Sequence, residues 1–239
     1  MESVDVALFP AEALTIEADC YILVDVLRAT TTIATLFARG LADLVVCDDI
    51  QLARDRALTE GRLLFGEVGG LPPEGFDHGN SPVEVDRLDV AGKRALLFTT
   101  NGTAALCALG ARDIVLTGAL TNAAAVARAA RNYRRVVVVC AGNGVGTRFS
   151  LEDFAAAGAI VERLARSDPP PALGDAALLA RDASRNTDLI ATSSHARLLT
   201  SLGLVDDVQF AMKADTSAAV PYVADSGAGW ARLLDASKR

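Results

Sequence analysis

Histidine is nearly absent from this chain, and its scarcity narrows the chemistry at once. His78 and His195 are the two histidines, far apart in sequence, so a histidine-rich zinc site is not expected. Aromatic residues make up 5% of the 239, so helices are expected to pack closely on small side chains. No apolar run reaches the roughly 18–20 residues that a membrane span needs. The start, "MESVDVALFP", lacks the basic and apolar stretches of a signal peptide. The expectation is a soluble cytoplasmic protein with no membrane partner. Positive charge is also in deficit: the net charge is −7 and the pI near 4.9, which argues against a nucleic-acid partner. A small basic pocket is not excluded, because global charge says little about one site. Cys20, Cys47, Cys107 and Cys140 stand outside metal-finger spacing and read as buried free thiols.

What is present is globular: 51% of residues are hydrophobic and 22% charged. Short apolar runs predict strands over 4–8, 20–26, 44–47, 62–65, 95–98, 114–117, 136–140 and 208–212. Helical patterns alternate with them over 31–39, 51–58, 103–109, 122–132, 151–165, 176–181 and 195–202. This alternation predicts an α/β fold, a layered mixed sheet flanked by helices. "RSDPPPALGD", at 166–175, reads as a stiff connector between a main body (1–165) and a C-terminal α/β portion (176–239) packed on the same body.

Residues 29–57 align without a gap to 99–127. Ala34, Leu36, Ala38, Gly40, Asp43 and Val45 meet Ala104, Leu106, Ala108, Gly110, Asp113 and Val115. The ungapped length favours an internal duplication of a strand-loop-helix-strand-helix unit over shared α/β grammar alone. It predicts that the similar loops at 28–32 and 99–102 approach one another.

Four loops follow apolar strands, where ligands of open α/β sheets collect. In "VDVLRATTT", Asp25 and Arg28 precede a helix start that suits a phosphate, although a threonine cap and an Asp25–Arg28 pair would explain the same residues. In "LLFGEVGG", Glu67 stands in a glycine-rich turn and reads as a metal-reaching carboxylate or a solvated turn residue. It opens a long irregular stretch, 66–85, that reads as an ordered functional loop. In "LLFTTNGTAAL", Thr99, Thr100, Asn101 and Gly102 offer a phosphate cradle or ordinary caps. In "CAGNGVGTRFSLEDFAAAG", Ser150 and Asp153 resemble a capping box, which leaves Arg148, Glu152 and three glycines unexplained.

Spacing weighs against two phosphatase mechanisms. A phosphocysteine enzyme needs five residues between Cys and Arg, and seven separate Cys140 from Arg148. An aspartyl-phosphate enzyme shows Asp-x-Asp, and Leu27 stands where the second acid would be. A P-loop is absent, and "GNGVG" is a weak match to a dinucleotide fingerprint.

In order, "DVLRATTTI", "GEVGGLPPEGFDHGNSP", "FTTNGTAAL" and "CAGNGVGTRFSLEDFAAAG" resemble the motifs of the 2-phosphosulfolactate phosphatase family. The resemblance is strong over 25–158 and extends weakly to "DDVQFAMKADTSAAVPYV". It implies a magnesium-dependent hydrolase that removes phosphate from 2-phospho-3-sulfolactate, a coenzyme M biosynthesis step, on an α/β fold of its own kind. With that substrate in view, Arg28 and Arg148 become the anion partners. Thr30, Thr99, Thr100, Asn101, Gly102 and Asn143 complete the expected substrate site. Asp25, Glu67, Glu152 and Asp153 are the candidate ligands for magnesium, with only one of the adjacent Glu152 and Asp153 facing it. Asp25, Arg28 and Arg148 are the candidate catalytic residues. A direct attack by water is favoured over a covalent intermediate at Asp25. The alternatives are a non-catalytic small-anion-binding protein and a phosphatase for another phosphorylated hydroxyacid. A homodimer is left open.

Overall fold

The computed structural model describes residues 1–238. Ten strands form one sheet: β1 (Ser3–Ala7), β2 (Cys20–Val24), β3 (Asp43–Cys47), β4 (Leu63–Gly66), β5 (Arg94–Phe98), β6 (Val115–Gly118), β7 (Arg135–Cys140), β8 (Ala172–Leu173), β9 (Pro221–Gly227) and β10 (Trp230–Asp235). The helices are α1 (Pro10–Ala13), α2 (Ala29–Ala38), α3 (Ile50–Glu60), α4 (Pro82–Val85), α5 (Gly102–Leu109), α6 (Ala123–Ala130), α7 (Leu151–Leu164), α8 (Asp175–Ala183), α9 (Asp188–Ala191), α10 (Ser194–Ser201) and α11 (Val205–Ala211). Among the described residues no helix is long and apolar enough to cross a membrane.

The strand order is β4-β5-β3-β10-β9-β6-β2-β7-β1-β8. Two parallel blades, β4-β5-β3 and β6-β2-β7-β1-β8, are joined by the antiparallel β9–β10 hairpin. The chain crosses between them twice, from β2 through α2 to β3 and from β5 through α5 to β6. A rotation of about 20–25° per strand pair accumulates over the five steps from β5 to β2. Both blades thereby present one face to the same helix pair: Leu23 and Val139 of one blade share a core with Leu44 and Leu97 of the other, around Ile33, Phe37 and Leu106.

Inner strands are buried on both faces, which explains their unbroken apolar runs. In β2, Tyr21 and Leu23 face α2 and α5, while Cys20, Ile22 and Val24 face the layer of α6 and α7. In β7, Val137 and Val139 face inward, and Val136, Val138 and Cys140 outward. α3 covers the far face of β3 and β5 through Ala53 and Ala57. Gly158 allows α7 to meet α8, since a Cβ there would lie 1.8 Å from the Ala180 carbonyl oxygen.

Two expectations change, and one element lies outside them. Residues 208–211 belong to a helix, α11, with Met212 at its C-cap, not to a strand; Val208 and Ala211 are buried at i, i+3 spacing, and two acids occupy the first turn. The 166–175 segment is not wholly an exposed connector, because Ala172 and Leu173 pair with Ser3 and Val4 of β1. The β9–β10 hairpin went unread, although alternating burial in "WARLLD" and the Gly227-Ala228-Gly229 turn mark it.

Candidate active site

Asp25 is the first residue beyond β2. Its backbone N–H donates to Thr30 Oγ1 at 3.1 Å, and that hydroxyl donates back to the Asp25 carbonyl at 2.9 Å. The Ala29 N–H, at the start of α2, donates to Asp25 Oδ1 at 3.2 Å. Across the blades, Gly102 at the start of α5 packs on the same carboxylate: a Cβ there would lie 2.6 Å from Asp25 Oδ2. The loops at 28–32 and 99–102 therefore do meet. Burial pushes the Asp25 carboxyl up to about 6, with Glu67 and Glu152 adding repulsion, while His195 and the Ala29 N–H oppose the shift.

Ser150 caps α7, accepting from the Asp153 N–H at 3.3 Å. The cap places Glu152 and Asp153 in the first turn, at 3% exposure each. Asp153 Oδ1 accepts from the Val26 N–H at 2.9 Å and Oδ2 from the Gly142 N–H at 3.2 Å. It thus ties the loop after β2 to the loop after β7. Burial, then Asp25 and Glu152, raise its carboxyl well above the usual range, against the Val26 and Ser150 hydrogen bonds. Among the described residues Glu152 has no such tie, and its Oε2 is buried without a hydrogen-bond partner.

One recess is lined by Asp25, Leu27, Arg28, Glu67, Asn80, Thr99, Asn101 and His195. Arg28 is paired with Asp207 across 2.6 Å and also donates to the Gly70 carbonyl. Glu67 Oε1 accepts from the Thr100 N–H and Oε2 from the Gly70 N–H, both at 2.8 Å. Thr99 Oγ1 accepts from the Thr103 N–H at 3.2 Å, and Asn101 Oδ1 accepts from the Val145 N–H at 2.9 Å. A wider groove between α6 and α7, lined by Arg128, Arg131 and Arg163, lacks a buried carboxylate.

Other expected site residues sit apart. Thr30 is fully buried and occupied by the Asp25 backbone. Thr100 is exposed and contributes its N–H to Glu67. Arg148 is exposed and not among the recess residues; its backbone bridges Asn143, with N–H···O contacts of 2.8 and 3.0 Å. Asn143 Oδ1 stands 3.4 Å from His195 Nδ1. Burial raises the Cys140 thiol well above its usual value, so it is no nucleophile at neutral pH.

Sequence reasoning passed over His195, Asn80 and Asp207. Asn80 is 3% exposed, and its Oδ1 lacks a partner. It lies inside a quoted motif, which was its signal. Asp207 likewise lies inside the quoted motif that begins at Asp206, whereas His195 arrives from α10 with no local signal pointing to the recess.

No group of three or more His, Cys, Asp or Glu side chains among the described residues is arranged as a metal cage. Magnesium does not need one: one or two carboxylates, waters and phosphate oxygens suffice. The unpartnered Oε2 of Glu152, whose charge acts on the buried Asp25 carboxylate, fits that requirement. Both oxygens of Asp153 and of Glu67 already accept backbone N–H groups.

The family model described as 2-phosphosulpholactate phosphatase matches residues 8–226. A probable 2-phosphosulfolactate phosphatase of Gloeobacter violaceus is 40% identical over 212 residues, covering 87% of this chain and 90% of the relative. The protein of that name from Thermotoga maritima is 38% identical over 224 residues, covering 91% and 94%. The Deinococcus radiodurans relative, again a probable 2-phosphosulfolactate phosphatase, is 40% identical over 233 residues, covering 90% and 93%. With most of its length matched at this level, the chain belongs to the 2-phosphosulpholactate phosphatase family.

Proposed function

We propose that this protein is a magnesium-dependent phosphatase that hydrolyses the phosphomonoester of 2-phospho-3-sulfolactate or a closely similar phosphorylated hydroxyacid. The observation that carries this reading is the lining of one recess by two carboxylates, a guanidinium and polar donors. Family membership supports the substrate class.

Asp25 and Glu152 would hold magnesium, which when bound withdraws charge from the phosphoryl oxygens and from coordinated water. Arg28 binds an oxygen of the tetrahedral phosphate through N–H groups that no acceptor among the described residues uses. Asn80 and Asn101 orient the remaining oxygens. Glu67, held by the N–H groups of Thr100 and Gly70, positions the attacking water and takes its proton. The water oxygen bonds to phosphorus, the bond from phosphorus to the substrate oxygen breaks, that oxygen takes up a proton from solvent as sulfolactate leaves, and Glu67 returns its proton to solvent. Arg148, on its exposed loop, meets the sulfonate or carboxylate end.

Phosphate release is measured with and without EDTA on a panel that includes phosphosulfolactate and phosphoglycolate. Magnesium-dependent release from phosphosulfolactate is expected. No release from any member with magnesium present leaves only an anion-binding role. Metal binding has its own readout: excess magnesium should raise the melting temperature of EDTA-treated protein, and E152Q should lose most of that rise.

A further inference from the structure

Asp207 reaches Arg28 from the first turn of α11, 179 residues away in sequence. The two side chains are 2% and 3% exposed. Arg28 Nη1 donates to Asp207 Oδ2 at 2.6 Å, and Nη2 donates to the Gly70 carbonyl at 2.6 Å. The other Asp207 oxygen, Oδ1, accepts from Ser81 Oγ at 2.6 Å and from the Val83 N–H at 3.4 Å. Ser81 Oγ also accepts from the Glu84 N–H at 3.1 Å, capping α4. The carboxylate is therefore fixed from one side and fixes Arg28 from the other.

A guanidinium carries five N–H donors in a rigid fork. The donors of Arg28 beyond these two contacts have no protein partner among the described residues, and the side chain lines the recess. A free arginine would lose rotamer freedom on meeting an anion. One already held would not. A buried guanidinium without its carboxylate would seek another partner and turn from its place.

We propose that Asp207 is the positioning residue of the anion site. It holds the Arg28 guanidinium in the orientation in which its unused N–H groups meet a tetrahedral oxyanion in the recess. The assignment rests on Arg28 being the anion partner, as argued under Proposed function.

D207N, R28A and the double variant are compared by kcat and KM for 2-phosphosulfolactate, by calorimetric Kd for inorganic phosphate, and by melting temperature. D207N should raise KM and the phosphate Kd about tenfold, the worth of one hydrogen bond to a charged group. Its kcat should stay within about threefold of the parent, because the group acts on binding. The double variant should bind no more weakly than R28A alone, since both changes remove one interaction. D207E should recover part of the lost affinity. A lower melting temperature for D207N with parental KM and phosphate Kd makes Asp207 merely structural and overturns the proposal, leaving the role of Arg28 intact. Parental KM and Kd in R28A overturn the reading of Arg28 itself, and the proposal with it. Should D207N fail to fold, S81A takes its place. A rise in KM of about threefold, part of the worth of the Ser81 hydrogen bond to the Asp207 carboxylate, then supports the proposal, and a parental KM overturns it.

Discussion

Gly102 stands so close to Asp25 that a Cβ on it would lie 2.6 Å from Asp25 Oδ2 and 2.6 Å from Ala29 Cβ. The demand is for space, and it arises where the two crossover helices begin against each other. G102A should therefore displace the carboxylate. The expected result is a fall in kcat/KM of about 100-fold, typical of a misplaced catalytic group. Overpacking should cost about 1–3 kcal/mol in denaturant unfolding. Parental kinetics in this variant would show that the contact does not place Asp25.

Asp153 holds the loops after β2 and β7 together through the N–H groups of Val26 and Gly142. D153A leaves both donors buried and unpaired, at about 1–3 kcal/mol each. D153N retains one acceptor and should be less destabilised. Denaturant midpoints at pH 7 test the order parent, D153N, D153A. Hydrogen exchange at Val26 and Gly142 should quicken in the same order.

Burial pushes the Asp25 carboxyl up to about 6 in the folded protein, against its ordinary value of 3.8. The folded protein binds this proton more tightly than the unfolded chain, so this group makes stability fall as pH rises from about 4 to about 6. The shift is worth on the order of 3 kcal/mol. Asp153 shifts in the same direction. In EDTA-treated protein, D25N should raise the unfolding free energy at pH 7–8 and change it little near pH 3. A stabilisation equal at both pH values would sink this account.

Arg148 is exposed and has no side-chain hydrogen bond or ion pair among the described residues. R148A should leave stability within about 0.5 kcal/mol of the parent, as for other free surface side chains. If the loop brings it to the substrate, KM should rise about five- to tenfold, the loss of a charge-assisted contact. Unchanged kinetics would remove Arg148 from the site.

Much of this arrangement is legible along the chain. The valines of β7 and the apolar run of β2 announce strands buried on both faces, and Ser150 announces the start of α7. These signals are local, so they survive without knowledge of neighbours. The short apolar run at 208–212 misled for the opposite reason: five residues do not distinguish strand from helix. Packing against the preceding helix α10 and the sequence-distant α4 decided the outcome.

By itself, the sequence determined which loops follow strands, which residues cap the helices behind them, and that acids, an arginine and glycines gather there. Only the tertiary structure decided what each of those side chains is free to do. Glu152 and Asp153 are neighbours on one helix turn, yet Asp153 spends both oxygens on backbone N–H groups and Glu152 keeps one unpaired. Arg28 is pinned by Asp207 while Arg148 stands in solvent. Caps and burial patterns follow from residues a few positions apart. The partner of a buried charge is set by whichever distant segment packs against it, and here α10 brings His195 to the recess and α11 brings Asp207 to Arg28.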